Sequence, residues 1–229
     1  MGSSLSQLIA VLSRHYGVVS SRAPKDAFQL LLWEYVGYLA DDETRAAAFA
    51  ELKAVVGLKP SEVAAAPLTV LATIARVGGS IAVAQRAARM RHVAVTVRDQ
   101  YDGTLRGVLG LPYAEARRAL KGFPSIGPPG ADKILLLTGA QPVLALDSNA
   151  LRVLLRLGYG REHKNYATSY ASAQTAAIES LPRAIPALTA ACVMLRHHGR
   201  QLCRRTHPSC TICPIKKSCP FGGGERRTA

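Results

Sequence analysis

Apolar positions along this chain recur at three- and four-residue spacing, and the runs close on glycine, proline or a short polar side chain. That is the period of an amphipathic helix, and it continues almost throughout. Asp26 is placed to cap AFQLLLWEYVGYLA, and Asp42 precedes ETRAAAFAELKAVV, which stops at Gly57. Ser61 opens a short EVAAA that Pro67 breaks, and LTVLATIARV then runs into Gly78 and Gly79. IAVAQRAARMRHVAVTVRDQY ends at Gly103, and YAEARRALKGF follows Pro112. ADKILLLTG, SNALRVLLRLG, YATSYASAQTAAIESL and AIPALTAACVMLRHHG complete the set. HVAVTV has strand character, but no segment of comparable quality is there to pair with it. The pattern therefore predicts an all-α chain. No low-complexity linker or internal repeat interrupts it, and the tail FGGGERRTA is expected to be mobile.

The 229 residues suffice for one large domain or two lobes with a real core. Against 15 acidic residues stand 29 Lys and Arg, a formal net charge of +14 that implies a polyanionic partner. SQLIAVL is too short to span a membrane, and no N-terminal segment has the order of a signal peptide. Of five cysteines four are clustered, which reads as a metal site in a reducing compartment and not as a disulfide framework. The fifth, Cys192 in ALTAACVML, reads as a small buried hydrophobe.

Cys203, Cys210, Cys213 and Cys219 follow the spacing C-x6-C-x2-C-x5-C. Four thiolates this close can hold one metal centre, either Zn²⁺ or an iron–sulfur cluster. The C-x2-C-x2-C run of electron-transfer ferredoxins is absent. Arg204, Arg205, His207, Lys216 and Lys217 lie between the cysteines and would give the loop a positive surface. Upstream, LKGFPSIGPPGADKILLLTG (residues 120–139) reads as a helix, a Pro/Gly-rich turn and a second helix. Such a hairpin points backbone N–H groups and a helix N-terminus at one DNA phosphate without reading sequence. QPVLALDSNALRVLLRLGYG follows, with Asp147 just before a new helix.

Hairpin, aspartate and cysteine loop, in this order and at these separations, resemble the endonuclease III family of DNA glycosylases. The resemblance is clearest over roughly 120–220, where it includes HGR at His198–Arg200 and the segment VLALDSNALRVLLRLG, and it extends back to about residue 26. It implies a two-lobed helix-hairpin-helix fold. Residues 26–137 would form a helical barrel ending in the hairpin (about 118–137). Residues 1–25 and 138–229 would form a second lobe carrying a [4Fe-4S] cluster on the four cysteines, in a loop over 203–219. DNA would lie across the groove between the lobes, with Asp147 at its base. The implied activity is base excision repair: double-stranded DNA is bent, a damaged or mismatched base is flipped out, and its N-glycosidic bond is hydrolysed. A cytoplasmic, nucleoid-associated monomer is the matching expectation.

By resemblance, Asp147 stabilises the oxocarbenium-like sugar or orients the attacking nucleophile, and it can cap its helix at the same time. Bifunctional members of the family carry a lysine where this chain has Pro129. Proline has no amine with which to form the Schiff base, so mainly monofunctional excision is expected. One alternative is a bifunctional glycosylase/lyase using Lys133, one turn further along the same helical face. Another is a non-catalytic damage-recognition protein on the same fold. Ser125 stands where the family usually has the first hairpin glycine, and Pro128 and Pro129 cannot donate N–H. Phosphate contact would then rest on amides such as those of Gly127, Gly130 and Ala131. Glu34 aligns with the glutamate that protonates the departing base in adenine-mismatch and some thymine-mismatch glycosylases. Its apolar helix should raise its pKa. Trp33, Tyr35 and Tyr38 are candidates for stacking on a flipped base, at least two of them being expected in the core, and Leu39 is a candidate wedge. Arg152 and Arg156 share a helix face that could meet DNA or pair with acids, and His197 and His198 read as packing or hydrogen-bonding residues.

Overall fold

Helix starts follow local chemistry in the computed structural model, which describes residues 4–224; the ERRTA end of the tail read as mobile lies outside the described residues. In α1 (Leu5–Tyr16), Ser4 and Gln7 form a reciprocal capping box. Asp26 caps α2 (Ala27–Val36), which stops at Val36 and not at Ala40. Asp41, not Asp42, caps α3 (Asp42–Val55), its side chain accepting from Thr44 N at 2.7 Å. α4 (Pro60–Ala65) starts before Ser61, because Pro60 suits a first turn and the Glu62 carboxylate accepts from Lys59 N at 2.9 Å. α5 (Leu68–Val77) and α6 (Val83–Gln100) follow, and α6 absorbs HVAVTV as helix. The single turn α7 (Arg106–Leu109), which the pattern does not announce, leads to α8 (Tyr113–Lys121) and α9 (Pro128–Leu137). Three further helices remain: α10 (Ser148–Arg156), α11 (Tyr166–Ile178) and α12 (Ile185–Gln201). Two short 3-10 turns, Cys210–Ile212 and Lys216–Ser218, lie in the cysteine loop. No strand forms among the described residues, and none of their helices is long and apolar enough to cross a membrane.

The chain divides into two compact units, one of residues Arg22–Ala140 and one joining the chain up to Ser21 to the chain from Gln141 onward. In the Arg22–Ala140 unit, α2 is buried almost all round, through Phe28, Leu30, Leu31, Leu32, Trp33, Tyr35 and Val36. This explains why its sequence is apolar without a polar stripe. It packs on α3, α5, α6 and α9. In the other unit α10 lies on α12, with α1 on α12 and α11 on α10. Gly199 permits the α10–α12 approach, since a Cβ there would sit 2.7 Å from the Asn149 carbonyl oxygen.

Arg86, on α6, is the largest fully buried side chain. Its guanidinium donates to Val36 O at 2.7 Å, to Ile81 O at 2.9 Å and to Gly79 O. These carbonyls belong to the end of α2 and to the loop before α6, so one cation satisfies acceptors that neither helix can. Arg86→Met should therefore lower unfolding free energy by about 3 kcal/mol, at roughly 1 kcal/mol or more per stranded carbonyl. An unchanged urea midpoint would refute this.

Candidate active site

The hairpin is built on a buried carboxylate. Asp132 of α9 is fully buried and accepts from Arg117 Nε at 2.8 Å and Tyr113 OH at 3.0 Å, tying α9 to α8. Burial and the Asp132 charge push the Tyr113 phenol up to about 12, so it stays a donor. Tyr35 OH donates to Pro124 O at 2.7 Å and fixes the turn against α2. Ser125 is exposed at φ +61°, a left-handed conformation that glycine adopts at less cost. Gly127 is the N-cap residue of α9, followed by Pro128 and Pro129. The Ala131 amide is not available to a phosphate as the sequence suggested, because it donates to Gly127 O at 3.0 Å. Gly127 and Gly130 keep the N–H groups left at this helix end.

Glu34 is the one charged side chain of α2, and it is not in the apolar setting its helix suggested. Lys133 Nζ donates to its Oε1 at 2.6 Å, and Arg45 Nη1 of α3 lies 3.5 Å from its Oε2. Opposite charges at these distances favour an ionised carboxylate. Arg45 also donates to Trp33 O at 3.2 Å. Sequence reasoning missed Arg45. The signal available was that a lone charge in a helix buried all round needs a counterion. Trp33 is buried edge-on to Phe49, with ring centroids 5.4 Å apart, and Tyr35 is buried as well. Tyr38 and Leu39 are 53% and 79% exposed in the turn after α2, Leu39 at φ +55°.

Asp147 caps α10, its Oδ1 accepting from Asn149 N at 3.0 Å and Ala150 N at 2.8 Å. Its Oδ2 accepts from Arg196 Nε of α12 at 2.9 Å and from Asn149 Nδ2 at 3.3 Å. The carboxylate is thus oriented at both oxygens, one of them by an arginine that no motif announced. Arg152 is turned inward and away from the role of DNA contact. It donates to Asn149 Oδ1 at 2.9 Å, Gly199 O at 2.7 Å and Cys203 O at 2.9 Å. Arg156 likewise serves the cysteine loop, donating to Arg204 O at 2.8 Å and Arg205 O at 3.2 Å while stacking over Phe221.

Cys203, Cys210, Cys213 and Cys219 line one cavity with Val153, Leu157, Leu202, Ile215 and Phe221. All four are free thiols. Among the described residues no three His, Cys, Asp or Glu side chains converge as closely as ligands of one ion do. Four thiols around one cavity are the donor set that a [4Fe-4S] cluster takes. Burial pushes the Cys213 and Cys219 thiols up, and a cationic centre would reverse that. Arg204, Arg205, Lys216 and Lys217 are exposed around the loop.

No family model matches the chain. Endonuclease III of Rickettsia prowazekii (strain Madrid E) is 34% identical over 103 residues, which is 43% of this chain and 43% of that protein. The matched stretch thus spans less than half the length of this curated relative. A solved structure of a trapped endonuclease III–DNA covalent intermediate superposes with a TM-score of 0.77 at 19% identity, over 98% of this chain and 100% of that one. A thermostable thymine-DNA glycosylase gives 0.75 at 17% identity, over 96% and 95%. The chain therefore has the fold of these helix-hairpin-helix glycosylase structures, and over 43% of its length it is similar in sequence to endonuclease III.

Proposed function

We propose that this chain is a base-excision-repair DNA glycosylase that flips a damaged or mismatched base from duplex DNA and hydrolyses its N-glycosidic bond, leaving an intact abasic site. The observation that carries the reading is Asp147, a carboxylate oriented at both oxygens by the α10 amides, Asn149 and Arg196. A fixed negative charge of this kind stabilises the oxocarbenium-like sugar as the base departs, and no reorganisation is needed at the moment of reaction. The Gly127 and Gly130 amides and the exposed Ser125 turn serve as the phosphate contact. Tyr38 and Leu39, apolar and exposed, suit the gap left by an extruded nucleotide. The four cysteines would hold a [4Fe-4S] cluster, whose part is to order the loop bearing Arg204, Arg205, Lys216 and Lys217.

Glu34 is the general acid of this reading. To protonate the base it must take up a proton and leave Lys133 and Arg45 when DNA binds. Position 129 argues against lyase chemistry. Pro129 has no amine, and Lys133, the nearest on the same face, is bound to Glu34 at 2.6 Å.

The test is base release from a panel of single-lesion and mismatch duplexes, each read before and after hot alkali, with borohydride present in a parallel set. Cleavage only after alkali, with no covalent adduct, is the expected result. Strand cleavage without alkali and an adduct lost in Lys133→Ala would replace this reading with the lyase. Silence across the panel with DNA binding intact would leave a recognition protein.

A further inference from the structure

The histidine of the HGR segment has no part in the scheme above, yet it is among the most enclosed polar residues of the chain. His198, on α12, is 1% exposed. Its Nδ1 lies 2.8 Å from Tyr16 OH of α1, and its Nε2 lies 3.7 Å from Cys213 Sγ. Tyr16 is held in turn by edge-on contact with the His197 ring, centroids 4.7 Å apart. Burial, with the neighbouring cysteines, pushes the Tyr16 phenol up to about 12, so its proton is retained.

A neutral imidazole has one donor and one acceptor nitrogen, and the partners decide which is which. A cysteine that ligates a cluster is a thiolate with no proton to give. Nε2, facing that sulfur, must then be the donor and Nδ1 the acceptor. Tyr16 O–H fits the acceptor side. From this geometry we propose that Tyr16 and His198 form a relay that directs an N–H···S hydrogen bond onto Cys213 and so sets the reduction potential of the cluster. The inference rests on the [4Fe-4S] reading. A hydrogen bond to a ligating sulfur withdraws negative charge and favours the more reduced cluster, raising its potential. In this role Tyr16 and His198 are positioning residues.

The measurement is the midpoint potential of the purified holoprotein, together with the rate at which ferricyanide bleaches its visible absorbance. Tyr16→Phe keeps the ring and its packing but removes the proton that fixes the tautomer. Its potential should fall below wild type and its bleaching should be several-fold faster, at unchanged iron content and helical circular dichroism. His198→Gln retains an N–H that can reach the sulfur without help from Tyr16. In that background Tyr16→Phe should have no further effect. An unchanged potential and bleaching rate in Tyr16→Phe would overturn the relay, and so would equal effects of Tyr16→Phe in both backgrounds. A wild-type protein without iron and inorganic sulfide would overturn the cluster reading, and the relay with it.

Discussion

Asp147→Asn should abolish base release while leaving the protein folded. The two consequences separate because in the proposed reaction the carboxylate would have a second job, beside capping, that needs a different atom. As a cap, its Oδ1 accepts from the amides of Asn149 and Ala150, and an asparagine carbonyl oxygen does the same with equal propensity. The ion pair from Oδ2 to Arg196 is lost, but both side chains are about a third exposed (34% and 32%), so water screens the pair and its contribution is at most about 1 kcal/mol. As a catalytic group Asp147 must supply charge to an electron-poor sugar, and a neutral amide cannot. Removing a preorganised electrostatic contact of this kind costs about 10²–10³ in rate, and here it is the principal one. Single-turnover base release and thermal unfolding, measured on the same preparation, separate the two effects. A variant that unfolds normally and still releases base at the wild-type rate would reduce Asp147 to a helix cap.

Legibility from sequence divided along local and non-local lines. Asp147 was readable because capping is local: an acidic side chain and the two amides it meets lie within three residues. The grouping of the four cysteines was readable because their spacing compresses them into one turn-rich segment, and they line one cavity. Arg196, Arg45 and Tyr16 were not assigned, since each meets its partner through the packing of two helices, across 49 residues for Arg196 and Asp147 and 182 for Tyr16 and His198, and for Arg45 and Glu34 between the neighbouring helices α3 and α2. Periodicity announces that a helix has a buried face, not what that face meets. The early end of α2 has the same origin. Gly78 lies so close that a Cβ there would fall 1.7 Å from Val36 O, and Arg86 takes that carbonyl at 2.7 Å. The Val36 acceptor that would continue the helix is already occupied, and the chain leaves into the turn that exposes Tyr38 and Leu39. Arg152 was misassigned because its helical register was legible and its partners, Gly199 and Cys203, were not.

If the four cysteines hold the proposed [4Fe-4S] cluster, Cys210→Ser should cost the protein both its iron and most of the salt dependence of its DNA binding. The loop has little apolar anchorage of its own: among its described residues Ile215 is the one fully buried side chain between Cys203 and Cys219. Its regular structure is limited to two 3-10 turns of three residues each. What fixes it from outside is Arg152, which donates to Cys203 O at 2.9 Å, and Arg156, bound to the Arg204 and Arg205 carbonyls and 3.3 Å from Cys203 Sγ, to which the proposed cluster would add a joint across the cavity that the four cysteines line. Without that joint, Arg204, Arg205, Lys216 and Lys217 remain charged but would no longer be held in one ordered loop against the phosphates. Each phosphate contact steepens the fall of log affinity with log salt by roughly 0.9 on duplex DNA. Loss of all four would make the slope shallower by up to about 3.6. The slope is the decisive readout, because a change in affinity at one salt concentration would also follow from partial unfolding. Titrations on an undamaged duplex at several salt concentrations, with circular dichroism to show that α1 to α12 persist, provide it. An iron-free variant with the wild-type slope would mean that the basic loop does not meet the phosphates, and that the positive charge of this chain engages DNA elsewhere.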